Sequence, residues 1–232
     1  MTGFPRYAIY FAAGSDSALS RFGAELLGYD AYTGDELPFP RQALDIAPDW
    51  RDVTADPRKY GFHATLKAPM ALAPGRTEAE LAAACAAFAG TPRPIPTIRP
   101  IVDSISGFIA VIPAEPLDAL QGLAADCVRA FDSFRAALTA EDRARRKPDK
   151  LSEQQRDHLD RWGYPYVMEE FCFHMTLTGR LDAARRGPIL EMLRRRFAAL
   201  GLDALEIDRL ALFKQDDAKA RFRIIGEWAL TR

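Results

Sequence analysis

Apolar and polar positions alternate over Arg6–Phe11, a stretch rich in Tyr and Ile, and the alternation predicts a strand. Over 15–27 the spacing lengthens to a helical one, with Leu19, Phe22, Leu26 and Leu27 on one stripe. Residues 28–60 keep no sustained period and are punctuated by Gly34, Pro38, Pro40, Pro48 and Pro57. A loop that long in a compact domain is functional or hides an element, and it is read as a loop near a site. Residues 61–67 form a short strand candidate, and Thr77-x-x-Glu80 makes a capping box for a helix carrying Leu81, Cys85 and Phe88, stopped by Gly90. Two strands are expected over 97–103 and 107–112, then one helical stripe (Leu120, Leu123, Cys127, Phe131, Phe134) from 116 through 138. Residues 139–162 are the most charged part of the chain and predict a solvated helix pair broken at Pro148. Strand spacing returns at 170–178, a helix at 188–200, and strands near 205–213 and 222–230.

The two halves follow one pattern: a short strand carrying a histidine, then a helix, then two strands. His63 lies 35 positions before Ile98, and His174 lies 33 before Ile207. Such self-similarity predicts an α+β protein of two similar, pseudo-symmetric lobes, each with an antiparallel sheet and helices, and not an alternating βαβ sheet.

The histidines sharpen this picture. The chain has three, and two of them open the same motif: His63-Ala64-Thr65-Leu66 and His174-Met175-Thr176-Leu177, each preceded by Phe. From composition, a given His is followed by x-Thr-Leu roughly once in 200, so two such matches stand well above chance. In a strand, residues i and i+2 share a face. His63 and Thr65 therefore point one way, as do His174 and Thr176, while Phe62, Ala64 and Leu66 (and Phe173, Met175 and Leu177) point toward packing helices. Across a cleft, two imidazoles and two hydroxyls suit phosphodiester chemistry. One histidine is the base for the attacking oxygen and the other the acid for the leaving oxygen. The threonines hydrogen-bond the non-bridging phosphate oxygens. H-x-T is not a metal-ligand spacing, and neither metal nor cofactor is expected.

Composition excludes other classes. The 31 Lys+Arg residues balance 32 Asp+Glu in 232 residues, with a pI near 6.3, so coating long nucleic acid is not expected. Cys85, Cys127 and Cys172 form no CxxC pair, and the first residues carry no signal pattern. No apolar run approaches the roughly 20 residues of a membrane span. A cytoplasmic protein without membrane contact is expected.

The paired motifs resemble the 2H phosphoesterase superfamily, which includes RNA 2′,3′-cyclic phosphodiesterases and 2′–5′ RNA ligases. The wider wording runs from Tyr60 to Lys67 (YGFHATLK), with Trp162-Gly163-Tyr164-Pro165-Tyr166-Val167, then Phe171 to Thr178, and Leu212-Phe213-Lys214-Gln215. It is similar to a branch associated with phosphonate metabolism. The resemblance covers nearly the whole chain. It implies a single bilobal 2H-type domain over residues 1–232 with interleaved lobes, and a small cyclic or linear phosphodiester substrate. A phosphate-binding or sensing module without turnover, and a 2′,3′-cyclic RNA-end phosphodiesterase or ligase, are the alternatives.

Further side chains are candidates for contact with substrate. Lys67 shares the face of His63 and Thr65 by simple alternation and suits a phosphate, Tyr10 and Tyr60 suit stacking, and Lys214 and Gln215 lie late in a strand beside the expected cleft. His158 lacks the motif and is read as a surface residue. Arg143, Arg145, Arg146 and Lys147 form a basic run that could guide an anionic ligand, though Glu141, Asp142 and Asp149 offset it. Cys172 has no base placed to make it a nucleophile.

Overall fold

The Arg6–Phe11 alternation forms a strand, β1, but one covered on both faces: Tyr7 through Phe11 are each at most 3% exposed. Tyr7, Ile9 and Phe11 enter the main hydrophobic core, whereas Ala8, Tyr10 and Ala12 enter a smaller cluster with Tyr29, Ala31, Ala211, Phe213 and Phe222. That second cluster becomes the floor of the candidate site.

The computed structural model describes residues 3–232. After β1 come β2 (Ala64–Ala71), β3 (Thr97–Ile98), β4 (Pro100–Ile105), β5 (Phe108–Pro113), β6 (Met175–Thr176), β7 (Leu205–Glu206), β8 (Arg209–Gln215) and β9 (Arg223–Ala229). Seven strands form one antiparallel sheet in the order β4-β5-β6-β2-β1-β8-β9, and β3 pairs with β7 in a ribbon of its own. The chain is α+β, and the internal repeat is longer than the sequence pattern alone suggests. The first half runs β1, helix Ala18–Leu27, β2, helix Glu78–Gly90, β3, β4. The second runs β5, helix Asp118–Ala130, β6, helix Ala183–Ala198, β7, β8, and β9 is an added edge.

The last strand of each half pairs with the first strand of the other: β4 with β5, and β8 with β1. The halves are thus interleaved, and they meet at β2 and β6 through a single registered pair, Ala64 opposite Met175.

The segment over 28–60 is not a structureless loop. It folds into three short helices, Arg41–Ile46, Trp50–Val53 and Ala55–Arg58. Trp50 is fully buried and donates Nε1–H to the Leu26 carbonyl at 2.8 Å, and Arg58 donates Nε–H to the Leu27 carbonyl at 2.7 Å. These side chains satisfy carbonyls at the end of the helix Ala18–Leu27 that no intrahelical donor reaches. Pro40 and Pro48 bracket the first of these helices, and all three are too short for a helical period to show. The predicted helix over 116–138 also ends early, at Ala130. A 3₁₀ turn follows, Asp132–Phe134, and the chain then bonds the end of β2 (Ala136 N–H to Ala71 O, 2.9 Å). β6 is only two residues long, and the last long helix starts at Ala183 with Pro188 inside it.

Gly23 shows how the first helix supports the site. A Cβ there would stand 2.0 Å from the Phe62 ring, and Phe62 immediately precedes His63. Gly23→Ala is expected to destabilise the fold by about 1–3 kcal/mol through overpacking. Urea unfolding checks this, and an unchanged midpoint would contradict the contact.

Candidate active site

β2 and β6 bring the two motifs side by side. Ala64 and Met175 are fully buried and form the registered pair. Counting one residue outward on each antiparallel strand sets His63 across from Thr176 and Thr65 across from His174. Each imidazole therefore faces the other motif's threonine, which is the convergence expected from the spacing.

Both rings are anchored in the same way. The Nδ1 of His63 lies 2.9 Å from the Gly61 carbonyl, and that of His174 lies 2.8 Å from the Cys172 carbonyl. A carbonyl only accepts, so each Nδ1 carries the hydrogen and each Nε2 is left to exchange a proton. The Thr65 hydroxyl sits 3.3 Å from the His63 Nε2. Gly61 has φ +76°, and a Cβ there would stand 2.7 Å from that of Ala31, so the turn that offers its carbonyl to His63 requires glycine.

Aromatic rings enclose the first histidine. Tyr10 stacks on His63 with centroids 3.8 Å apart and planes at 19°, and Phe213 and Tyr60 stand at 5.9 and 6.1 Å. Burial lowers the His63 pKa to about 4, against the pull of the Gly61 carbonyl, and His174 lowers it further. Burial also lowers the pKa of His174, opposed by the Cys172 carbonyl; its ring is 5.5 Å from that of Phe108. A cavity of about 300 Å³ opens over His174, lined among others by Thr65, Phe108, Tyr164, Phe171 and Arg180. A larger cavity, about 740 Å³, lies between the helices Ala18–Leu27 and Ala183–Ala198 and holds no motif residue.

The other candidates fall out differently. Tyr10 and Tyr60 are at the site, Tyr60 also stacking on Phe222 at 5.3 Å. Lys67 is not on the expected face. Tyr10 pairs with Thr65 but Ile9 pairs with Lys67, so β2 carries one extra residue there, and this bulge turns Lys67 toward the face of Ile9 and the main core. It is 3% exposed and donates to Asp132 at 2.7 Å and to the Val128 carbonyl at 3.2 Å. Lys214 pairs with Glu78 at 2.9 Å and Asp216 at 3.3 Å. Gln215 is buried; its Oε1 accepts from Arg6 and its amide donates to the Ala220 carbonyl at 2.7 Å. His158 is not on the open surface: its side chain is 13% exposed and lies 3.4 Å from Glu169. Burial raises the pKa of the free Cys172 thiol, which disfavours the thiolate.

Sequence reasoning missed Arg6, Tyr164 and Arg180. Arg6 was accessible to it, because alternation from Tyr10 through Ala8 leads to Arg6 on the same face. Among the described residues no three His, Cys, Asp or Glu side chains form a metal-holding group, and no helix is long and apolar enough to cross a membrane.

Fold and site together define an α+β protein with a duplicated His-x-Thr-Leu strand motif meeting at one seam. Residues 65–223 match the family described as "Protein of unknown function (DUF1045)", and the chain belongs to that family. Two curated relatives bear the name ribose 1,5-bisphosphate phosphokinase PhnN. The one from Janthinobacterium sp. (strain Marseille) is 39% identical over 88% of this chain and 47% of its own length. The one from Laribacter hongkongensis (strain HLHK9) is 34% identical over 94% of this chain and 50% of its own. The chain thus spans about half the length of the curated relatives it matches. Among solved structures, E. coli LigT complexed with NADP+ aligns with a TM-score of 0.46 at 16% identity, covering 98% of each chain. A structure described as a phosphoesterase aligns with a TM-score of 0.44 at 17% identity, covering 98% of this chain and 99% of its own.

Proposed function

We propose that this chain is a metal-independent phosphodiesterase that opens a small cyclic phosphodiester, with His63 as general base and His174 as general acid. One observation carries it: two imidazoles held through Nδ1 in the same tautomer, with no backbone group among the described residues on either Nε2 and only the Thr65 hydroxyl on that of His63, each ring opposite the threonine of the other motif. His63 is the more enclosed ring and stays neutral over most of the pH range, which suits the base. Its Nε2 takes a proton from water as the water oxygen attacks phosphorus. The His174 Nε2–H protonates the departing sugar oxygen as the P–O bond breaks. Thr65 and Thr176 donate to the non-bridging oxygens, whose negative charge also favours the protonated state of His174. Solvent then returns the proton from His63 to His174. In the ligating direction the two roles exchange.

The substrate reading draws on the relatives' printed name. Hydrolysis of a 1,2-cyclic phosphate on ribose 5-phosphate, with cleavage at O2, yields ribose 1,5-bisphosphate, the compound in that name. This chain has no Gly-x-x-x-x-Gly-Lys run to cradle nucleotide phosphates, so P-loop phosphoryl transfer from ATP is not the activity proposed for it. The test is hydrolysis, with EDTA present, of ribose 1,2-cyclic phosphates, nucleoside 2′,3′-cyclic phosphates and linear 2′–5′ dinucleotides. Turnover of a cyclic member is expected. A rate abolished by EDTA and restored by a divalent metal would overturn the mechanism.

The pH dependence follows with its sign. The free enzyme must hold His63 neutral and His174 protonated. The first condition fails as pH drops through about 4, and the second fails as pH rises through a value below 6.5. We expect kcat/KM to peak on the acid side of neutrality and to fall through pH 7. A profile still rising at pH 8 would contradict the assignment.

A further inference from the structure

A second pocket adjoins the site and is basic. It has a volume of about 230 Å³ and is lined by Arg6, Tyr60, Arg135, Asp142, Arg145 and Arg146, among others. Tyr60 connects it to the chemistry, its ring lying 6.1 Å from that of His63. Tyr164 connects it from the other side, since it lines the cavity over His174 while the Arg146 guanidinium rests 4.9 Å from its ring.

The charges in this pocket are not equivalent. Arg145 is committed to Asp142, and Arg135 to Asp132 at 2.9 Å and the Arg161 carbonyl at 3.0 Å. Arg6 and Arg146 differ: among the described residues neither forms an ion pair. Arg6 gives Nε–H and Nη2–H to the neutral amide oxygen of Gln215, which is buried and itself fixed by the Ala220 carbonyl. Two N–H groups sharing one oxygen orient the guanidinium without cancelling its charge. Burial lowers the Arg6 pKa, Tyr60 and Tyr10 oppose that, and Arg145 and Arg146 lower it further, so several cations crowd one small volume. Arg6 and Arg146 both act electrostatically on Tyr10, the ring stacked on His63. Two uncompensated guanidiniums held together beside a phosphodiester site leave a place for an anion.

We propose that Arg6 and Arg146 form a second phosphate subsite, so that the substrate is a cyclic phosphodiester of a sugar that also carries a phosphate monoester. The proposal rests on the phosphodiesterase function given above and narrows it. The diester lies between His63 and His174, and the monoester enters the basic pocket past Tyr60. Gln215 is a positioning residue for Arg6.

The experiment measures kcat/KM for ribose 1,2-cyclic phosphate with and without a 5-phosphate, in wild type, Arg6→Gln and Arg146→Ala. Arg99→Ala is the control, an exposed arginine paired with Glu115 away from this pocket. Wild type is expected to prefer the 5-phosphorylated compound by about 30-fold or more, and each pocket variant to cut that ratio about 10-fold. The control should keep the ratio. A wild-type ratio near one, or a ratio kept in both pocket variants, would overturn the subsite while leaving the phosphodiesterase standing. Titration calorimetry with ribose 5-phosphate separates the two ideas. Binding that is lost in Arg6→Gln and Arg146→Ala supports the subsite even if no cyclic compound is turned over, and absence of binding to wild type counts against it. Arg146 is exposed, so its variant decides the matter should Arg6→Gln fail to fold.

Discussion

His63→Ala and His174→Ala are each expected to lower kcat for a cyclic phosphodiester by about 10² to 10⁴-fold, the range for a positioned acid or base. The two losses should not multiply. In the proposed mechanism both histidines act in one transition state, so with one removed the other has little left to assist, and the double variant should lie close to the worse single one. What the proposal leaves in such a variant is stabilisation by Thr65 and Thr176. Removing one of those hydroxyls, as in Thr65→Val, should cost less than removing either ring. Each alanine variant needs a stability check, because His63→Ala strips the Tyr10 ring of its stacking partner and the Gly61 carbonyl of its donor. A variant that melts like wild type yet has lost its rate isolates the chemical role. Equal rates in wild type and both single variants would sink the acid–base pair, whichever substrate is used.

Much of this arrangement was legible in the sequence because it rests on local periodicity. The His-x-Thr spacing fixes two side chains on one face of a strand whatever the rest of the chain does, and the doubled motif announces an internal repeat. What stayed hidden depends on contacts between distant segments. The bulge between Thr65 and Lys67 is set by pairing with Ile9 and Tyr10, and no pattern within β2 reveals that alternation breaks there. The exchange of β4 and β8 between halves is likewise a matter of tertiary pairing. Arg6 opens β1, and its alternation with Tyr10 says nothing of what holds its guanidinium; only the buried Gln215, more than 200 residues away in the chain, shows that it is held in place. The charged stretch over 139–162 looked like a solvent face, and by composition it is. Yet Arg145 and Arg146 at the end of the helix Ala140–Arg145 turn toward the pocket beside Tyr60.

Asp132→Ala should be the most destabilising polar substitution near the site, by about 3–5 kcal/mol, because it strands a buried charge. Lys67 is almost wholly enclosed, and Asp132 is its ion-pair partner at 2.7 Å, the Val128 carbonyl being its other contact. The same carboxylate also accepts from Arg135. Burial lowers the Lys67 pKa and Asp132 opposes this; burial would raise the Asp132 pKa, but Arg135 and Lys67 hold it below the usual carboxylate value. Removing the lysine is a different operation. Lys67→Met leaves an apolar chain of similar length facing the core, and Asp132 keeps Arg135, so its loss should be smaller by a few kcal/mol. Adding Lys67→Met to Asp132→Ala should recover part of the stability. The sign of the pH effect gives a second check. With Asp132 gone, the folded state binds the Lys67 proton less tightly than the unfolded chain does, so stability rises with pH as the unfolded lysine approaches its titration near 10.4. Urea midpoints for the three variants between pH 7 and 10 test this. Equal losses for Asp132→Ala and Lys67→Met, with no gain toward pH 10, would mean that the pair is solvated and that β2 does not bury Lys67 as its register requires.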